Sequence, residues 1–235
     1  MPPARVLRPA AVPQDRHAAS NSAFQAAVAQ IEIGVAEQRQ VRPEVIFEGE
    51  PPPGRLAPQA AAIAATVEVD RNEIGWGRFV LLYDPAGQDG WAGPFRVIGY
   101  VRAELEPEIA ADQLIREVGW SWLTEALDAR STGYAAPSGT VTTVQTEGFG
   151  TKQDEAVVTE FEMRASWSPV SDGRDDFRID RHVGAWVDAM CVACGRPPAP
   201  PGVAQLRPPA PLRRAERAAQ IRPVQPGPER PGRRP

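Results

Sequence analysis

The stretch FRVIGYVRAELE, residues 95–106, alternates between two kinds of side chain along its whole length. One set is Phe95, Val97, Gly99, Val101, Ala103 and Leu105, and the other is Arg96, Ile98, Tyr100, Arg102, Glu104 and Glu106. Alternation with a period of two residues is typical of a β-strand whose two faces meet different surroundings. The stretch therefore predicts a strand, and it is the clearest strand signal in the chain.

The sequence around this strand predicts four more strands and three helices. The predicted strands cover residues 61–70, 78–83, 140–148 and 156–167, and the predicted helices cover residues 22–38, 107–130 and 178–194. A short extended piece that starts near residue 44 breaks at three prolines. Turns too short for crossovers join successive strands, which favours antiparallel pairing. We predict an α+β fold with a mainly antiparallel sheet of about five strands and three helices, in the order α-β-β-β-α-β-β-α.

The C-terminal segment, residues 196–235, differs in composition from the rest of the chain. It contains 12 prolines, nine arginines and two glutamates, a net charge of +7; the whole chain carries −4, so residues 1–195 carry −11. Such a segment buries too little apolar surface to offset its ordering entropy. We expect disordered tails at residues 1–20 and 196–235 around a single domain at residues 21–195. The basic tail can fold back on the acidic body or contact nucleic acid.

The sequence shows neither a membrane-spanning segment nor a secretory signal. It has no run of eighteen apolar residues, which a membrane span requires, and its first twenty residues lack the apolar core of a secretory signal. Two cysteines three positions apart cannot form a disulfide that links distant parts of the chain, and their use here agrees with a reducing compartment. We therefore expect a cytoplasmic protein without a membrane partner.

The two cysteines, Cys191 and Cys194, form a CxxC motif near the end of the last predicted helix. Helical periodicity places both on the apolar stripe, at the helix end where the dipole raises a thiol pKa. Zinc needs about four ligands, and His182 falls on the opposite side of the helix from Cys191. We expect both thiols to pack in the core, with redox or metal chemistry as the alternative. We expect His182 to be solvated, and we assign no catalytic residue, cofactor or metal.

Acidic residues offer the remaining route to chemistry. The candidate polar cluster is Asp84, Asp89, Glu104, Glu106, Glu108 and Asp112. Two carboxylates that converge can perform acid–base work or bind a divalent cation. The alternative is structural, because acidic groups in a first helical turn favour the helix dipole and strand carboxylates pair with arginines across a sheet.

The middle predicted helix is apolar well beyond one stripe. Trp120, Leu123 and Leu127 extend its apolar surface, so the helix is either covered on two sides or presents these residues to a partner. Trp91 lies in a glycine-rich loop, where it either folds over the sheet or anchors a partner. These four residues are the interface candidates, with burial in a large core as the alternative.

Several strings resemble an actinobacterial family known as domain of unknown function 3000. They are RPEV, GRFVLLYDPAG, FRVIGYVRAELEPEIAADQL, EVGWSWLTEAL, PSGTVT and EMRASWSP, and the resemblance covers roughly residues 42–200. It implies no activity, cofactor or catalytic residue. The predicted order of elements is also similar to the type III secretion chaperone-like fold, an analogy that favours dimerisation and protein binding without specifying a site.

The functional expectation is a cytoplasmic, non-catalytic module that binds another protein or itself. The first alternative is an enzyme or metal-dependent binder that uses the carboxylates around residues 104–112. The second is weak nucleic-acid association through the basic tail, residues 196–235, which the acidic body disfavours.

Overall fold

The computed structural model describes residues 14–130, 132–171, 173 and 176–198, with side chains described from residue 21 onward. The helices are α1 (Gln14–Val41), α2 (Pro107–Ala110), α3 (Ile115–Ala129) and α4 (Ile179–Ala193). The strands are β1 (Val45–Glu50), β2 (Gln59–Val69), β3 (Asn72–Tyr83), β4 (Phe95–Leu105), β5 (Tyr134–Thr146) and β6 (Val158–Pro169). Most of the two predicted tails lies outside the described residues.

The strands form one open sheet in the order β1-β2-β3-β4-β6-β5, and every neighbouring pair is antiparallel. The predicted α+β class and antiparallel sheet are therefore confirmed. The described part of the chain has six strands and four helices, against about five and three predicted.

Two local differences explain these counts, and a third changes where α1 begins. Strand β1 is the short extended piece before the prolines, and its six residues are too few for a clear alternation. The predicted helix at residues 107–130 is interrupted where the Asp112 carboxylate accepts a hydrogen bond from the Leu114 amide, a local turn that ends α2 and precedes α3. Helix α1 begins at Gln14, six residues before the predicted end of the N-terminal tail, because nothing between that residue and residue 33 breaks a helix.

Helices α1, α3 and α4 cover one face of the sheet, and α4 packs against both of the others. Helix α4 is buried on most of its surface, as a helix enclosed by two helices and a sheet must be. Glycine allows it to approach the strands closely: a Cβ atom at Gly77 would lie 2.8 Å from the Trp186 ring and 2.9 Å from the Met190 sulfur. Trp186 is fully buried, and its indole N–H donates to the Tyr100 carbonyl at 3.0 Å.

The opposite face of the sheet carries charged and aromatic side chains at one end and loops at the other. Trp76 and Tyr100 pack edge to face with ring centroids 5.5 Å apart. The loop after β1 accepts a hydrogen bond from Arg78 at the Pro51 carbonyl. The loop after β3 is tied to this first loop by Gln88, which donates to the Leu56 carbonyl at 3.1 Å. No helix in the described part of the chain is long and apolar enough to cross a bilayer.

Candidate interaction surface

Strand β5 forms one edge of the sheet. It is paired with β6 on one side, and no strand in the described part of the chain lies on its other side. Its 13 residues include no charged side chain, and most of them are exposed. An unpaired edge presents backbone N–H and C=O groups that can pair with another strand, and proteins usually protect such edges with charges, prolines or bulges.

Only the first part of β5 has such protection. The pairing with β6 is irregular between Ala135 and Ser138, where Ala136 adopts a left-handed backbone conformation (φ 49°) and Pro137 follows. From Ser138 to Thr146 the register is regular over nine residues. These nine residues, with the sequence SGTVTTVQT, span about 30 Å of strand. We call residues 138–146 the open edge.

A buried arginine fixes the irregular part of β5. Arg96 extends from β4 across β6, and its guanidinium donates to the Ala136 carbonyl at 3.0 Å and to the Ser166 hydroxyl at 2.7 Å. It also donates to the hydroxyls of Ser138 and Ser168, both at 3.2 Å. Burial lowers the pKa of Arg96, and no carboxylate within the described residues lies within 4 Å of it. The serines and carbonyls therefore satisfy the guanidinium, and in return it anchors the start of the open edge.

The other edge strand, β1, is different in each of these respects. It has six residues, two of which are glutamates at positions 48 and 50, and three prolines follow at positions 51–53. Charges and prolines are the ordinary means of blocking strand addition. The two edges of the sheet are therefore unequal, and β5 is the one that can accept a further strand.

The four predicted interface residues are divided between the surface and the core. Leu123 and Leu127 are 1% and 0% exposed and belong to the hydrophobic core, so they are not part of any surface of this fold. Trp120 is half-buried and lies over β5, because a Cβ atom at Gly139 would come within 2.7 Å of its ring. Trp120 thus braces the open edge from the helix side.

Trp91 is half-buried in the loop between β3 and β4. The next residue, Ala92, donates its amide hydrogen to the Ser168 hydroxyl at 3.0 Å, which fixes the loop against β6. The loop surrounds a shallow depression of about 410 Å³ that Trp91 lines together with Pro85, Gln88 and Pro94. Trp91 therefore belongs to the loop between β3 and β4 and is not one of the residues of the open edge.

The predicted carboxylate cluster does not assemble. Asp84 and Asp89 follow β3, next to the first residue of β4, whereas Glu104 and the acidic residues after it lie at the other end of that strand. Strand β4, with 11 residues, separates the two groups by roughly 30 Å. Both Asp84 oxygens already accept hydrogen bonds, one from the Ala86 amide and one from Gln88. Among the described residues, no group of three or more His, Cys, Asp or Glu side chains could hold a metal ion.

Both thiols are enclosed by the fold, as their position on the apolar stripe predicts. Cys191 is buried, Cys194 is half-buried, and neither forms a disulfide. Burial raises the pKa of each thiol to about 12, so neither provides a thiolate near neutral pH. The Cys194 sulfhydryl lies 3.6 Å from the Ile74 carbonyl, which connects the end of α4 to β3.

His182 is not solvated, contrary to the expectation from its place near the helix start. It is fully buried between α4 and the sheet, where its Nδ1 accepts a hydrogen bond from the Trp167 indole at 3.1 Å. Burial lowers the pKa of His182 from 6.5 to about 4, and the Phe177 carbonyl, which favours the protonated ring, offsets only part of that effect. The imidazole is a neutral core group.

The comparisons with known proteins give a family and no function. No curated protein and no solved structure matches the chain, so the similarity to the type III secretion chaperone-like fold has no solved structure behind it. The resemblance in the sequence strings is confirmed by a family model described as a protein of unknown function, DUF3000, which matches residues 20–204. The match covers more than three quarters of the sequence, and the chain therefore belongs to the DUF3000 family.

Proposed function

We propose that this protein is a non-catalytic binding module in which β5 accepts a strand from a protein partner. The observation that carries the proposal is the open edge, nine regularly paired residues without a charge at the border of the sheet. Strand addition gains affinity from main-chain hydrogen bonds and specificity from alternate side chains. Free thiols agree with a reducing compartment, and we place the module in the cytoplasm.

The chemistry of the open edge favours an uncharged partner strand rich in β-branched residues. Thr140, Thr142 and Val144 are exposed on the sheet face that the helices leave uncovered. Directly opposed β-branched or hydroxyl side chains contribute roughly 0.2–1 kcal/mol per pair. A charged side chain in the partner would find no counter-charge on β5.

Other groups in the fold support a binding role over catalysis. The acidic residues that could have formed a cluster are divided between two ends of the sheet. Both thiols have raised pKa values, and His182 is enclosed in the core. Asp84, Cys194 and His182 make contacts within the fold that require no substrate.

A peptide with the sequence of the open edge, SGTVTTVQT, tests strand addition directly. A fluorescent version should bind the full chain, with an anisotropy change that saturates as protein is added. Thr142→Lys should weaken binding about tenfold or more, because a charge at the centre of the edge opposes pairing. Ile46→Lys is the matched control, since Ile46 is a β-branched, 44% exposed residue of the other edge strand, and it should bind the peptide normally. Equal binding by the two variants would contradict the proposal.

A further inference from the structure

We infer that the strand added to β5 is the β5 of a second copy of this chain. The inference rests on the proposed function and names its partner. The two strands would run antiparallel about a two-fold axis at Thr142, the middle residue of the open edge. Two six-stranded sheets would then form one continuous sheet of twelve strands. A contact of this kind is isologous, the commonest arrangement in homodimers.

The open edge is complementary to itself in this register. On the outer face, Thr142 is opposite Thr142 of the second copy and Thr140 is opposite Val144. On the helix face, Val141 is opposite Thr143. Pairs of β-branched residues are among the favourable cross-strand pairs in antiparallel sheets.

The charge and shape of the open edge itself are compatible with a second copy. Residues 1–195 carry −11, so two copies repel at long range, yet the contact itself places no charge against a like charge. Gly139 would face Gln145 of the second copy, and Trp120 lies directly over Gly139. A small residue beside a half-buried indole leaves room for the longer glutamine side chain, which would cover part of the exposed ring.

The dimer should be reversible. Nine residues of strand edge offer less contact than the roughly 800 Å² per partner of a standard stable interface, and smaller interfaces belong to transient complexes. We expect monomer and dimer to exchange at micromolar concentrations, visible as a mass that rises with concentration in sedimentation or light scattering of the full chain.

The register can be tested with a single introduced thiol. In Thr142→Cys the two sulfurs would be on directly opposed residues, whose Cα separation of about 4.5–5.5 Å suits a disulfide. The native thiols have pKa values of about 12, so they will react slowly and leave the introduced thiol as the reactive group. Mild oxidation should convert Thr142→Cys to a covalent dimer at least tenfold faster than Val144→Cys or Ile46→Cys. In the inferred register, two residues at position 144 are offset by four positions, about 13 Å along the strand.

The outcomes separate this inference from the proposed function. Fast, selective crosslinking of Thr142→Cys supports the second copy. Equal or faster crosslinking of Val144→Cys, or a chain that stays monomeric at the highest concentration reached, overturns it. If the chain is monomeric but still binds the SGTVTTVQT peptide, the inference fails and strand addition by another partner stands. If the peptide also fails to bind, both fail.

Discussion

Acidification should destabilise this protein through a single buried imidazole. His182 has a pKa of about 4 in the folded chain, and its ordinary value of 6.5 applies once the chain unfolds. Between pH 6.5 and pH 4, His182 is therefore mostly protonated in the unfolded state and mostly neutral in the folded state. Stability is fully present above pH 6.5 and is lost as the pH falls toward 4.

The magnitude follows from the two pKa values. One pKa unit corresponds to about 1.4 kcal/mol, so the complete loss below pH 4 is about 3 kcal/mol. Between pH 7 and pH 5 the same linkage predicts a loss of about 2 kcal/mol from His182 alone. Burial is the main cause of the low pKa, and no nearby charged group contributes to it.

Urea unfolding of the full chain at several pH values from 5 to 7 measures this loss. His182→Asn is the matched variant, because its side-chain oxygen can accept the Trp167 indole hydrogen bond without titrating. The variant should be less stable at pH 7, yet it should lose about 2 kcal/mol less than the native chain between pH 7 and pH 5. Carboxylates contribute equally to the pH dependence of both proteins. The difference between the two changes in unfolding free energy therefore reports the imidazole alone.

Parallel pH dependence in the native chain and His182→Asn would refute the reasoning. A direct check is the imidazole proton resonance, followed by NMR in a His17→Gln background so that a single histidine remains. A midpoint near 6.5 in the folded protein would show that the ring is solvated, which would contradict the argument that burial lowers the His182 pKa.

Three more predictions follow from other parts of the fold. Arg96→Met should cost about 1–3 kcal/mol in urea unfolding and speed hydrogen exchange in β5, because buried acceptors lose their donor; unchanged exchange would show that Arg96 does not anchor the edge. Gly119→Ala should cost about 1–3 kcal/mol, since its Cβ would overlap the Phe161 ring, whereas Gly54→Ala meets open space and should change stability by less than about 0.5 kcal/mol. Alkylation of Cys191 in the native chain should be at least a hundredfold slower than in urea, and a rate near that of free cysteine would contradict its burial.

Local periodicity was enough to predict the class of the fold. The alternation at residues 95–106 corresponds to β4, whose apolar positions face the helices and are buried. The predicted helix at residues 178–194 corresponds to α4, and its apolar stripe does hold both cysteines. In each case the apolar side chains recur often enough along the sequence to identify both the type of element and the face that is buried.

Features that depend on distant parts of the chain could not be predicted in this way. Periodicity does not give the order of strands, so nothing in residues 134–146 indicates that they form an edge. Arg96 occupies a polar position of an alternating strand, and only the pairing of β4, β6 and β5 shows that serines surround it. His182 is polar and near a helix start, but α4 is enclosed on nearly every side, a property set by its neighbours.

The candidate site was predicted only in part for the same reason. An apolar helix such as α3 has more apolar residues than one stripe requires, and the sequence alone does not say which of them face a core. Leu123 and Leu127 lie on the inner side, whereas Trp120 projects toward the edge strand. The residues that make β5 a binding candidate are threonines and serines, which give no chemical signal in a sequence.

The place of α4 in the chain has a consequence for how the protein is made. The helix that contacts both other long helices and the middle strands is also the last described element to leave the ribosome. Until residues 179–193 are synthesised, the middle of the inner face lacks the cover that α4 provides, and Phe79 and Trp167 have no Trp186 or His182 to pack against. A nascent chain at that stage exposes apolar surface and two sheet edges, the state in which chaperones bind and aggregation begins. Early termination before residue 179 should therefore yield an aggregating fragment rather than a smaller version of the domain.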